Sequence, residues 1–232
     1  MTKNIVFLTI GEAPRTDLKA TFDRFFTPDD PVRQEGLLDG LTKAEAEELF
    51  GVKEDSSGTL TSRLLTGESV VMGSDKVEKG LQLKINQVET SGADMIVILC
   101  TGSFNDLHTR EAKLIEPEKV TIPLVKEKYG HQQIGVLVPL SDQVEESVDK
   151  WSFENGGIFA SASPYAFVEE EFQEAAKELQ AKGAEVIVLD CMGYSDEMKR
   201  VVEEATDNAL VVQSNEVLFQ YIIDLMEEIN NL

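Results

Sequence analysis

Residues 92–102 read GADMIVILCTG and residues 183–193 read GAEVIVLDCMG. Aligned without gaps, at an offset of 91 residues, they share Gly, Ala, Ile, Val, Cys and Gly, and Asp94 stands opposite Glu185. Each segment reads as a helix-ending glycine, a continuous apolar run and a cysteine. A short uninterrupted apolar run predicts a strand buried on both faces, as in a parallel sheet. Self-similarity within one chain predicts duplicated architecture. The chain has only two cysteines, and both hold the same position in the repeat. Ligands of open α/β sheets bind just beyond the carboxyl ends of the strands, so Cys100 and Cys191 are expected at that edge.

The pattern outside the repeat agrees. Ile5–Ile10, Ile134–Val138, Gly157–Ala160 and Leu210–Val212 read as further strands, and Val120–Ile122 as a short one before a helix near Leu124. Helices are predicted after Pro14 (Leu18, Phe22 and Phe25 on one face), after Ser74 (Val77, Leu81, Ile85, Val88), and at Ser141–Trp151, Val168–Ala181 and Ser195–Ala205. A last helix at Asn215–Ile229 would be capped by Ser214. Thr42 and Glu45 form a capping box, and Thr59–Leu65 with Ser69–Met72 reads as a β-hairpin. Alternating strands and helices predict parallel βαβ units and a three-layer α/β/α arrangement with mostly parallel sheets, and the repeat predicts that the α/β fold comes as two duplicated, pseudo-symmetric lobes. The expected division is 1–128, with an insertion at about 27–73 and residues 209–232 returning to it, and 129–208 for the second lobe.

Composition narrows the function. Among 232 residues, 43 Asp and Glu against 21 Lys and Arg give a formal net charge of −22, which opposes binding to nucleic acid or an anionic membrane surface. Two cysteines build no disulfide scaffold, so a cytoplasmic location is expected. Ile5–Ile10 is too short for a signal-peptide core, and no apolar run approaches the roughly 20 residues of a spanning helix. Neither a Gly-x-Gly-x-x-Gly fingerprint nor a phosphate loop is present. His108 and His131 lack metal-ligand spacing, so no metal is expected.

TIGEAPR (9–15), GLLDGL (36–41), Ser62-Arg63-Leu64, CTGSF (100–104) and LDCMGY (189–194) together resemble the AroM family. The two cysteine segments resemble the wider aspartate/glutamate racemase superfamily. That resemblance implies an active cleft between the lobes and cofactor-independent chemistry, in which one thiolate removes a proton α to a carboxylate and the opposite thiol returns one. It makes Cys100 and Cys191 the acid/base pair of a PLP-independent isomerase or racemase, or a related lyase, acting on a small carboxylate. Glutamate racemases usually carry Cys-Asn-Thr and Cys-Thr-His where this chain has Cys100-Thr-Gly and Cys191-Met-Gly. Isomerisation, decarboxylation of small dicarboxylates and racemisation of cyclic amides therefore stay open beside racemisation. So does a non-catalytic small-acid-binding or sensing protein of the same fold.

The remaining site expectations follow from position. Gly11 and Arg15 lie just past the first strand, where a guanidinium grips a carboxylate bidentately. Asp17 is expected to enrich the first helical turn rather than to pair with Arg15. The resemblance further implies that Thr101, Gly102, Ser103, Met192 and Gly193 hold the substrate carboxylate in the manner of an anion nest. Ser141 and Tyr194 are further candidates, with helix capping and ring packing as their competing explanations. Asp190 points away from the cysteine by strand alternation. No cofactor is expected, and a homo-oligomer is left open.

Overall fold

The computed structural model describes residues 4–54, 56–154, 157–207 and 209–230. Along the chain run β1 (Ile5–Thr9), α1 (Lys19–Phe25), β2 (Val32–Gly36), α2 (Lys43–Phe50), β3 (Thr59–Arg63), β4 (Ser69–Gly73), α3 (Ser74–Thr90), β5 (Met95–Leu99) and β6 (Lys113–Ile115). There follow α4 (Pro117–Tyr129), β7 (Ile134–Val138), α5 (Gln143–Trp151), β8 (Ile158–Ser161), α6 (Glu169–Ala181), β9 (Val186–Leu189), α7 (Asp196–Ala205), β10 (Leu210–Gln213) and α8 (Ser214–Asn230). No helix among the described residues is long and apolar enough to cross a membrane.

The two main sheets have one topology. The first runs β2-β1-β5-β6, the second β8-β7-β9-β10, and every pairing is parallel. Numbered within its own half, each is ordered 2-1-3-4. The central strands β1, β5, β7 and β9 are buried along their whole length, as expected of strands covered on both faces.

The repeat is visible atom by atom. Gly92 and Gly183 follow the C-caps of α3 and α6 with φ of 91° and 97°, a left-handed conformation that glycine adopts without penalty. Ala93 then donates to the Val88 carbonyl, and Ala184 to that of Leu179, closing the same Schellman turn twice. One residue on, the Asp94 carboxylate accepts the Asn4 amide at 2.8 Å, and the Glu185 carboxylate accepts the Gln133 amide at 3.0 Å. These clamps set the register: Ile5 pairs with Met95, and Ile134 with Val186.

Contacts group the chain into two units, Met1–Glu118 with Asp224–Leu232, and Lys119–Ile223. In the first, Val6, Leu8, Ile96 and Ile98 pack with Val77, Leu81, Ile85 and Val88 of α3. On the other side Phe7 meets Phe22 and Phe26 edge-on. In the second unit, Leu137, Ile187 and Leu189 pack under α6 and α7, while Val136, Val138, Val186 and Val188 face Trp151 and Val125.

Four expectations are corrected. Val120–Ile122 lies inside α4, not in a strand; its β-branched residues turn Ile122 onto the core with Ile134 and Val136, which also moves the unit boundary ahead of residue 128. The insertion does not begin near 27, because Val32–Gly36 is β2, hydrogen-bonded along β1. Strand β10 pairs with β9, so residues 209–223 stay with the second unit and only the end of α8 groups with the first. Ser214 directs its hydroxyl to Asp190 (Oδ1, 3.5 Å).

Asp190 does point away from Cys191. It is 4% exposed and accepts Lys150 Nζ at 2.7 Å and Trp151 Nε1 at 2.8 Å, fastening α5 to the sheet. Removing one partner of a buried ion pair strands the other. Asp190→Ala is expected to cost about 3 kcal/mol, read as a lower urea midpoint at unchanged m-value.

Candidate functional site

In the first unit the site grows from the carboxyl ends of β1 and β5. One register step beyond the Thr9–Leu99 pair comes Cys100, 8% exposed. The chain turns sharply enough there for the Gly102 amide to donate to the Cys100 sulfur at 3.4 Å. Residues 103–112 form no helix or strand, so their amides need side-chain acceptors. Helix α3 supplies them: Glu78 Oε1 accepts from Asn105 and Asp106 at 2.6 and 2.7 Å, and Glu89 Oε1 from Arg110, Glu111 and Ala112 at 2.8–2.9 Å. Those amides hold the Glu89 carboxyl below its ordinary range.

The loop after β1 is tied down as closely. Asp39 of the GLLDGL segment accepts the Ala13 and Gly36 amides, both at 2.8 Å. Gln34 accepts the Arg15 amide at 2.8 Å, and Leu38 donates to the Gly11 carbonyl. Strand β3 docks alongside, with Glu12 donating to the Arg63 carbonyl and the Leu65 amide donating to Glu12 Oε2. A side chain at Gly11 would collide with Ser62 Oγ and lie 2.7 Å from the Arg63 carbonyl. Only a residue without Cβ allows this approach.

Arg15 is buried (3% exposed), and its bidentate edge is already occupied. Nε and Nη2 reach the two Asp17 carboxylate oxygens at 2.8 and 2.7 Å, and Nη1 reaches Thr9 Oγ1 at 3.2 Å. Asp17 therefore pairs with Arg15 rather than merely enriching a helical turn, and the expectation that Arg15 presents this edge to a substrate carboxylate is corrected. Burial pushes the Asp17 carboxyl up, but the Arg15 hydrogen bond and charge, joined by Arg63, outweigh it and leave the group below its ordinary value of 3.8.

In the second unit Cys191, also 8% exposed, follows β9. The Gly193 amide donates to its sulfur at 3.4 Å, the counterpart of the Gly102 contact. The Tyr165 hydroxyl lies 3.6 Å from the same sulfur. Asn215 donates to the Met192 and Tyr194 carbonyls at 3.3 and 2.9 Å, and Gln213 to the Tyr194 carbonyl at 3.0 Å. An N–H aimed at sulfur stabilises negative charge on it more than the neutral thiol. The arrangement in each unit is thus a strand-end thiol with a fixed amide donor.

Of the expected nest, the Gly102 and Gly193 amides serve the sulfurs; Thr101 is half-buried, Ser103 exposed and Met192 buried. Tyr194 is corrected as a pocket hydroxyl: its ring is fully buried edge-on to Phe172, and its hydroxyl donates to the Ala162 carbonyl at 3.0 Å. Burial, then the neighbouring Cys191, Asp190 and Tyr165, raise that phenol well above 10.0, so it stays protonated. Ser141 is exposed two residues ahead of α5, whose N-cap Asp142 makes no side-chain capping hydrogen bond. The sequence reading assigned nothing to Ser62, Tyr165, Asn215 or Asp39; Ser62 and Asp39 lay inside segments already singled out, whereas Tyr165 and Asn215 gave no signal. Among the described residues no cluster suited to a metal is found. A cavity of about 390 Å³ lined by Lys126, Gln133 and Phe153 opens at the amino end of β7, the edge opposite Cys191.

The family model described as AroM protein matches residues 5–226. Solved structures share the fold at low identity. Allantoin racemase from Klebsiella pneumoniae aligns with a TM-score of 0.63 at 11% identity, covering 97% of this chain and 88% of that one. Unliganded arylmalonate decarboxylase aligns at 0.60 and 15%, covering 97% and 93%, and glutamate racemase from Aquifex pyrophilus at 0.58 and 16%, covering 95% and 83%. No curated protein matches the chain.

The Arg15–Asp17 pair predicts a pH signature. Because the folded carboxyl lies below its unfolded value, the stability that Asp17 contributes is complete above the ordinary carboxylate range and is lost as pH falls through the folded pKa. The Tm deficit of Asp17→Asn is expected to be constant between about pH 8 and pH 5 and to close below about pH 4.

Proposed function

Because this chain belongs to the AroM family and shares a fold with racemases and a decarboxylase, we propose that it is a cofactor-independent racemase- or isomerase-like enzyme acting on a small carboxylate or amino-acid-like substrate. Cys100 and Cys191 are the acid/base pair of this reading. The observation that carries it is the matched sulfur environment: in both units a strand-end cysteine takes the amide of the glycine two residues on, at 3.4 Å each time. Core packing needs no such donor, whereas a sulfur that alternates between thiolate and thiol does.

The chemistry balances without a cofactor. One thiolate accepts the proton α to the carboxylate, leaving its electron pair on carbon, and the other thiol delivers a proton to the opposite face. For a malonate-type substrate, loss of carbon dioxide replaces the first proton transfer and a thiol protonates the resulting carbanion. The Tyr165 hydroxyl is placed to donate to ionised Cys191. With the Arg15 edge held by Asp17, the substrate carboxylate falls to backbone amides and hydroxyls. The second reading is a non-catalytic small-acid-binding or sensing protein, favoured by Thr101 and Gly193 standing where glutamate racemases carry an amide and an imidazole.

Solvent deuterium uptake at the α-carbon separates the two. Across amino acids, hydroxy acids, malonates and cyclic ureides, the enzyme reading expects exchange into one class. Cys100→Ser and Cys191→Ser should each slow it by about 10²–10⁴-fold. Binding without exchange, unchanged in both variants, would establish the sensing role instead.

A further inference from the structure

Strand β3 and the residue that follows it carry Leu60, Ser62 and Leu64 at alternate positions, and all three are buried. Leu60 and Leu64 belong to the core that also contains Cys100. Ser62 is 0% exposed, and its hydroxyl has no hydrogen-bond partner among the described residues. A buried hydroxyl left unpaired is destabilising, and native interiors rarely keep one without use. Its surroundings are those of the first unit's strand ends. Ser62 Oγ fills the space a side chain at Gly11 would take. Two residues back along the same face, roughly 7 Å away, Leu60 Cδ2 lies 2.7 Å from the point a Cβ on Gly102 would occupy, and Cys100 Sγ lies 3.4 Å from that point. The strand therefore touches the loops after both β1 and β5, with one polar side chain on the face that meets them.

We infer that β3 forms part of the substrate site beside Cys100 and that Ser62 contacts substrate, its hydroxyl donating to an oxygen of the bound carboxylate. The inference rests on the small-carboxylate reading above and adds a residue from a segment with no counterpart in the second half of the chain. It assigns a partner to the unpaired hydroxyl and a reason for Gly11: a side chain there would displace the donor.

Iodoacetate tests this without knowledge of the substrate, being itself a small carboxylate whose carbon bonds to a thiolate while iodide leaves with the electron pair. Iodoacetamide is its neutral control. Alkylation of Cys100, followed by peptide mass spectrometry on the full chain, is expected to favour iodoacetate despite the protein's negative charge. Ser62→Ala should slow the iodoacetate reaction roughly ten- to hundredfold, leave the iodoacetamide rate unchanged, and keep or raise Tm because an unpaired polar group is removed. Ser62→Gly gives the same comparison should the alanine variant fail to fold. An unchanged ratio, equal slowing by both reagents, or failure of both to reach Cys100 would overturn the inference. Absence of α-deuterium exchange bears on the two-thiol chemistry alone and leaves this readout intact.

Discussion

All strands of a parallel sheet finish at one edge, and the rest of this molecule follows from that constraint applied twice. The clamps from Asp94 to Asn4 and from Glu185 to Gln133 hold each central pair in the same register. A cysteine just past the strand in one half therefore holds, in its own sheet, the register position that its counterpart holds in the other sheet. The glycine two residues later completes the turn that returns an amide to sulfur. The thiols owe their equivalence to backbone geometry.

The acidic surplus takes on a second meaning. A charge of −22 reads first as solubility, yet several of these carboxylates are spent as acceptors for backbone amides. Asp39 joins the loop after β1 to the turn after β2, Glu12 holds the hairpin, and Glu78 and Glu89 order the segment after Cys100. In the first unit they stand in for ladder hydrogen bonds where the chain leaves the sheet near the strand ends.

The central strands were legible because Ile5–Thr9, Met95–Leu99, Ile134–Val138 and Val186–Leu189 are apolar without interruption, which burial on both faces requires. The edge strands β2 and β6 were not: Val-Arg-Gln-Glu-Gly and Lys-Leu-Ile keep solvent-facing side chains, and their identity as strands resides in main-chain pairing. At the site, both cysteines were found by symmetry, which survives in sequence. Arg15 was found too, but its role turns on Asp17 two residues away, and only side-chain geometry shows that the fork closes on it. Ser62 was hidden for another reason. Whether a serine in a hairpin faces water or an interior depends on where the hairpin docks, and that is written in Gly11 and Glu12, some fifty residues earlier.

The segment from Ser103 to Ala112 carries one more consequence. Its amides are held by Glu78, Gln82 and Glu89 of α3, and Phe104, Leu107 and Ala112 are buried in the core that also contains Cys100 and the apolar face of α3. The wall beside the first thiol is thus fastened to one helix by polar and apolar contacts at once, and its order follows that of α3 rather than that of the sheet.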